Sequence, residues 1–255
     1  MKEEIVKNIN KISGKYSTYE VFADWVKLQA LAISQSVWYM KKREEEYLDL
    51  SKKYSSEELK IMSNMSGMLT LAFEEGMSDV LGSIYMSKEM GSNKLGQFFT
   101  PYHICQMMAK MQDMKDIEEH GYIKVIEPST GAGGNIIAFC EHVKNNGYNY
   151  QTQVNVTAQD LDYKAVYMSY VQFALLGIPA AVIQGDTLNK SWDRKLGDNV
   201  FITPTYLLHN HFNRKGDNVF ITSNGSAEEK KESSMWVASD NVKDNEQINL
   251  MDYIS

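Results

Sequence analysis

The sequence predicts an α/β protein, a mostly parallel, doubly wound sheet preceded by a helical domain. Three observations predict it. Up to about residue 90, apolar residues recur at helical spacing. From about residue 96, short runs rich in Val and Ile alternate with amphipathic stretches, the pattern of strands joined by crossover helices. Between the first such strand and its helix lies Glu127-Pro-Ser-Thr-Gly-Ala-Gly-Gly134. This small-residue turn ends a strand, where open α/β sheets bind ligands. The domain boundary is therefore drawn at residue 92, with a helical domain over 1–92 and a sheet-bearing core over 93–255.

In the helical part, Val21, Trp25, Leu28 and Ala32 mark one buried stripe, and Met62, Met65, Met68 and Leu71 mark another. A Met-rich stripe of this kind reads as core. Ser55-Ser-Glu-Glu58 reads as a helix start, with a serine cap and acids in the first turn. Lys41-Lys-Arg-Glu-Glu-Glu46 reads as a solvated helix face with opposite charges one turn apart.

In the core, helices are predicted over 102–115, 135–144 and 163–176, and strands over 122–126, 153–159, 180–184 and 199–203. Thr100 is positioned to cap the first of these helices, with Pro101 as its first residue. Gly197-Asp-Asn-Val-Phe-Ile-Thr203 recurs as Gly216-Asp-Asn-Val-Phe-Ile-Thr222. Two copies do not make a repeat fold, which needs about three. From Ser223 to Asn249 the chain is polar and reads as a loop or tail, with 235–238 and 248–254 as candidate edge strands.

Composition excludes several functions. With 43% hydrophobic and 23% charged residues the chain reads as a soluble globular protein, and no apolar run approaches the length of a membrane span. No basic-then-apolar leader opens it, so a cytoplasmic protein is expected. The two cysteines, Cys105 and Cys140, are expected as buried free thiols. His103, His120, His142, His209 and His211 form no metal-ligand pattern, so no metal is expected. His209 and His211 read as part of a polar loop. Neither a phosphate-binding G-x-x-x-x-G-K-[ST] nor a G-x-S-x-G elbow occurs. The net charge of −7 argues against unaided binding to duplex DNA, although Lys190, Arg194, Lys195, Arg214 and Lys215 could form a local basic patch.

Four pieces carry chemistry. The helix amino end at Thr100 suits a ligand carboxylate. Gly131, Gly133 and Gly134 allow close backbone approach. Asp160 ends the next strand, 26 residues beyond Gly134, where an acid binds a ribose diol. Asp186 ends the strand after that and can accept a hydrogen bond from an adenine amino group.

In order and spacing, Gly96-Gln-Phe-Phe-Thr-Pro101, Glu127 to Gly134, Asp160 and Gly185-Asp-Thr-Leu188 resemble the S-adenosylmethionine-dependent adenine-N6 DNA methyltransferases. The likeness is in particular to the modification subunits of type I restriction–modification systems and their phage or mobile-element relatives. Asp79-Val-Leu-Gly82 also resembles that family's helical lead-in. The resemblance implies a Rossmann-like methyltransferase sheet with S-adenosyl-L-methionine as cofactor. It implies that Thr100 and Pro101 lie near the methionine end, that Glu127, Gly131 and Gly133 line the turn, and that Asp160 holds the ribose and Asp186 the adenine. Phe99 and Ser129 complete the implied cofactor-binding set.

The departure is in the catalytic motif. The family's fourth strand ends in N/D-P-P-Y/F, which orients the target amine and stacks on the extruded base. Here it reads Thr203-Pro-Thr-Tyr206. The resemblance makes Thr203, Pro204 and Tyr206 the catalytic candidates and leaves two functions open. One is methylation of DNA adenine, with a separate specificity subunit or other protein partner reading the sequence, since only 49 residues follow Tyr206. The other is a catalytically inactive module acting through protein partners in restriction or anti-restriction. A homo-oligomer is compatible with both.

Overall fold

A computed structural model of the protein describes residues 1–87, 98–189 and 197–208. Five helices open the chain: α1 (Lys2–Ile12), α2 (Thr18–Val37), α3 (Lys41–Ser51), α4 (Ser56–Glu74) and α5 (Val80–Tyr85). Three start on a side-chain cap, which satisfies an amide that has no partner inside its helix. Ser17 accepts from Glu20 N, Asp79 accepts from Gly82 N, and Ser55 and Glu58 close the predicted capping box.

Val21, Trp25, Leu28 and Leu31 are buried on α2, and Ala32 is exposed; the helical period carries the stripe to Leu31 instead. The Trp25 indole N–H donates to Met62 O at 3.1 Å and to Ser66 Oγ at 3.2 Å, locking α2 to α4. Met62 and Met65 are core, joined on that face by Leu69 and Ala72, while Leu71 turns outward.

The helix predicted over 102–115 ends early, as α6 (Tyr102–Ala109), and a further helix, α7 (Lys115–His120), begins where it was expected to stop. Asp113 Oδ1 accepts from Lys115 N at 3.2 Å. That local turn competes with helix continuation. Pro101, not Thr100, is the N-cap of α6, and no side chain caps it. The chain then runs through β1 (Ile123–Glu127), α8 (Gly134–Asn145), α9 (Tyr150–Gln153), β2 (Val154–Asp160), α10 (Tyr163–Leu176), β3 (Ala180–Gln184), β4 (Val200–Ile202) and α11 (Pro204–Leu208). Helix α10 begins at an Asp162 cap and ends at Gly177, whose φ of 68° suits a residue without Cβ.

The α/β class, the sheet and the helical N-terminal region are as predicted. Strands β1, β2 and β3 are parallel and pair in sequence order, with Glu127 opposite Ala158 and Asp160 opposite Gln184. Two features differ from expectation. The order β1-β2-β3-β4 has no reversal among the described strands. Residues of both crossover helices, such as Ile137 and Phe173, share a core with Val156, Ala158 and Val182 on one face, while Ala181, Ile183, Val200, Ile202 and Tyr206 cluster on the other. The described sheet is thus wound on one side rather than two. In addition, β4 runs antiparallel to β3, pairing Ile202 with Ala181.

One hydrophobic cluster joins the N-terminal helices to the sheet, from Ile5 and Trp25 through Met65 to Phe173 and Phe201. A buried cation adds a second link. Lys41 and Glu45 form an exposed pair at 3.8 Å, as a solvated face requires. Arg43 breaks that expectation. It is only 5% exposed, its guanidinium lies 4.0 Å from the Phe201 ring centre, and its Nη2 donates to Val200 O at 2.6 Å and to Asp198 O at 3.3 Å. Lys42 pairs with Asp198 beside it. Helix α3 is therefore strapped to β4.

The segment Leu95 to Gln97 lies outside the described residues, as do the basic positions Lys190, Arg194, Lys195, Arg214 and Lys215, His209 and His211, the second copy at 216–222, and everything beyond it. No helix among the described residues is long and apolar enough to cross a membrane.

Replacing Arg43 with Met should lower unfolding free energy in urea by about 2–4 kcal/mol, because charged hydrogen bonds and a cation–π contact are lost together. Lys41→Ala, which breaks only a solvated pair, should change it by less than about 0.5 kcal/mol. Equal effects would contradict the strap.

Candidate cofactor site

The glycine turn leaves β1 at Glu127. Its Oε1 accepts from Ser129 N at 3.1 Å and its Oε2 from Asn135 Nδ2 at 3.2 Å, so the carboxylate spans the turn from its start to the first residues of α8. Thr130 N donates to Gln159 O at 2.9 Å, and Gly131 N donates to Asp160 Oδ2 at 2.9 Å. The turn is thereby tied to the end of β2. Asp160 Oδ1 accepts from Asp162 N at 3.0 Å. The β3 loop closes the group: Gly185 N donates to Asp160 O at 2.9 Å, and Thr187 Oγ1 donates to Pro128 O at 2.7 Å. Asp186 accepts from Leu188 N and from the Asn189 amide.

The three glycines do different work. Gly131 has φ 54°, and a Cβ there would lie 2.9 Å from the Phe99 ring. Gly133, with φ 98°, would place a Cβ 2.6 Å from the buried Phe173 ring on α10. A Cβ on Gly134 would lie 3.3 Å from Cys105 Sγ and 3.4 Å from Asp79 Oδ2. Gly133 and Gly134 therefore serve helix approach beneath the turn, and only Gly131 faces the Phe99 side. Asp79 is 4% exposed; burial pushes its carboxyl pKa up, partly offset by hydrogen bonds from Gln172 and Gly82 and by Lys2. Cys105 and Cys140 are buried free thiols, and burial pushes the first up to about 11 and the second higher still.

The structure thus brings Phe99, Glu127, Ser129, Gly131, Gly133, Asp160 and Asp186 to one end of the sheet. Thr100 is exposed, and its carbonyl accepts from Cys105 Sγ at 3.6 Å, one turn into α6. Thr203, Pro204 and Tyr206 are not at that end. Because β4 is antiparallel, its carboxyl end meets the amino end of β3. The four residue steps from Ala180 to Gln184 put it roughly 13 Å from the loops just described. The Thr203 hydroxyl is fully buried, accepting from Ala180 N at 2.9 Å and donating to Ile178 O at 2.8 Å. Tyr206 is buried against Ile183 and Ile202. Thr203-Pro-Thr-Tyr206 therefore lies away from the glycine turn, as an antiparallel β4 requires.

The site fits a charged nucleoside. Thr130 Oγ1 and Asn135 Oδ1 are buried with no hydrogen-bond partner among the described residues. An unmet buried polar atom costs about 1–3 kcal/mol. Asp160 and Glu127 each keep acceptor capacity beyond the bonds that hold the turn. Leu161 and Leu188, 68% and 95% exposed, follow Asp160 and Asp186 in the chain and offer apolar surface to a ring. Sequence reasoning missed Thr130, Asn135, Leu161 and Leu188, although each lies within two residues of a residue it chose. A separate cavity of about 450 Å³ lies between α2, α3, α10 and β4, lined in part by Tyr163, Tyr167 and Arg43.

Comparison with known families matches residues 77–245, well over half of the chain, to N-6 DNA Methylase. The chain belongs to the N-6 DNA methylase family, whose cofactor is S-adenosyl-L-methionine. A search of curated proteins finds no match. Among solved structures, a Listeria monocytogenes protein provisionally described as a class I S-adenosylmethionine-dependent methyltransferase is similar at 15% identity and a TM-score of 0.45. The match covers 74% of this chain and 54% of that one, so this chain spans about half its length. So slight a likeness carries no argument.

Gly133→Ala should cost about 3–5 kcal/mol, combining backbone strain with overpacking against Phe173, whereas Gly131→Ala should cost about 1–2 kcal/mol because the half-buried Phe99 ring can yield. Denaturant midpoints of the two variants check this order. Asp79 gives a pH test. Its folded pKa is raised, so its contribution to stability is full below the ordinary carboxylate pKa of about 3.9 and is lost as pH rises through the raised value. Asp79→Asn should gain stability relative to wild type as pH rises above about 4. Parallel stability curves would contradict it.

Proposed function

We propose that the chain binds S-adenosyl-L-methionine at the carboxyl ends of β1 to β3 and serves N6-adenine methylation of DNA in a restriction–modification or mobile-element system. The observation that carries this reading is the convergence of Glu127, Asp160 and Asp186 around a turn whose Gly131 amide is fixed by Asp160. Bound there, the cofactor supplies an electrophilic methyl group. Asp160 accepts from the ribose hydroxyls and Asp186 from the adenine amine. Thr130 and Asn135 lie close by with unmet hydrogen-bonding capacity. The Phe99 ring packs beside Gly131. Thr100 and Pro101 stand at the start of α6, toward the methionine end. The acidic balance of the chain supports a partner that supplies the phosphate contacts and reads the DNA sequence. The buried free cysteines suit a reducing cytoplasm.

A second reading is favoured by Thr203. Its hydroxyl accepts from Ala180 N and donates to Ile178 O at the opposite end of the sheet, which supports a chain without methyl transfer. On this reading the chain binds cofactor without turnover and acts through protein partners.

Titration calorimetry with the cofactor, followed by transfer of labelled methyl to adenine-containing duplex, separates the readings. Wild type should bind, and Asp160→Ala should weaken binding about tenfold or more, since a charge-assisted contact and the turn's anchor are lost together. Label in DNA that survives Thr203→Val supports the enzyme with its amine-orienting groups elsewhere. Binding with no label, even with partner subunits present, supports the module. No heat at millimolar cofactor would sink both.

A further inference from the structure

Beneath the glycine turn lies a buried amide that the site does not use. Gln172, on α10, is fully buried. Its Nε2 donates to Ala132 O at 2.7 Å and to Asp79 Oδ1 at 2.9 Å, and its Oε1 accepts from Leu81 N at 3.0 Å. Asp79 Oδ1 also accepts from Gly82 N at 2.8 Å, which caps α5. Both N–H groups of one side chain are therefore engaged, together with its oxygen. Only Gln or Asn offers two such donors and an acceptor on a neutral group.

The partner in the turn is Ala132, which sits between Gly131 at φ 54° and Gly133 at φ 98°. The peptide plane between Ala132 and Gly133 turns more easily than most, because Gly133 has no Cβ to restrict it. The bond from Gln172 pins the Ala132 carbonyl downward, toward the core. That sets the plane carrying the Gly133 N–H, which donates to Thr130 O at 2.8 Å. From the other side Asp160 fixes the Gly131 amide. The turn is thus held at the peptide before Gly131 from the ligand side and at the peptide after Ala132 from the core. Asp79 and Gln172 are 93 residues apart in sequence and reach the turn from two helices.

We propose that Gln172, held in place by Asp79, is the positioning residue that keeps the glycine turn in its ligand-receiving shape. Cofactor affinity then depends on a buried amide that never touches the cofactor. The proposal rests on the cofactor reading given above. It also explains why the Asp79-Val-Leu-Gly82 segment stands near the turn: its capping carboxylate orients the amide, and its Leu81 amide holds the other end.

The test measures hydrogen exchange of the turn, residues 129–134, in the ligand-free protein, and cofactor affinity by calorimetry. Gln172→Leu should speed exchange at the turn by about tenfold or more relative to the helix carrying Trp25, and should weaken cofactor binding by a similar factor. Asp79→Ala, which removes one acceptor and leaves the Gln172 bond to Ala132 possible, should do the same to a smaller degree. Asp79→Asn, which keeps the Oδ1 acceptor, should restore both properties to within about twofold. Should Gln172→Leu fail to fold, the two Asp79 variants carry the comparison. Folded variants with wild-type exchange at the turn and wild-type affinity would overturn the proposal. So would exchange raised equally throughout the protein, the mark of a purely structural role. If wild type gives no heat with cofactor, the proposed function fails, and exchange alone decides whether the amide holds the turn.

Discussion

The architecture of the site depends on one hydrogen bond, from the Gly131 amide to the Asp160 carboxylate. It is possible because β1 and β2 run parallel with Glu127 opposite Ala158, so β2 continues two residues past the end of β1 and lifts Asp160 to the level of the turn. A carboxylate that accepts a backbone N–H at 2.9 Å is a strong, directional restraint on a glycine-rich segment with little rigidity of its own. The β3 loop then closes over the pair through Gly185 and Thr187. The ends of β2 and β3, which the register brings level, join the turn after β1 in one edge lined by acids.

Glycine in this turn answers to two demands that a sequence motif merges. Gly131 keeps clear of Phe99 on the ligand side, while Gly133 and Gly134 let α8 approach α10, α6 and the buried Asp79 from below. The turn is thus also a helix-packing junction. Substitutions meant to probe the ligand will report on the core unless the two sides are kept apart.

Much of this was legible beforehand. Helix α10 and strand β3 have the predicted bounds, because Asp162 and Gly177 punctuate one and a short Ala-Val-Ile run makes the other. The order of Phe99, the glycine turn, Asp160 and Asp186 is a property of the chain, and parallel strands carry such an order directly to one end of a sheet. The direction of β4 was not legible. Val200-Phe-Ile202 is an apolar triplet that reads alike whichever way it runs, and only its pairing with Ala181 to Ile183 decides. With the direction went the motif behind it: Thr203 became a buried link to Ile178 and Ala180 at the opposite end. The burial of Arg43 was hidden for a related reason, since a charge run shows its helical face but not which residue meets a distant ring. The link between Asp79 and Gln172 leaves no local trace in sequence at all.

Whether the turn receives the cofactor is the claim on which function rests. Amide NMR during titration with S-adenosyl-L-methionine tests it most directly. The account predicts saturable shifts centred on Gly131, Asp160 and the loop at Asp186, with the residues around Thr203 unmoved. Shifts confined to the cavity beside Tyr163 and Arg43, or none at saturating cofactor, would contradict it.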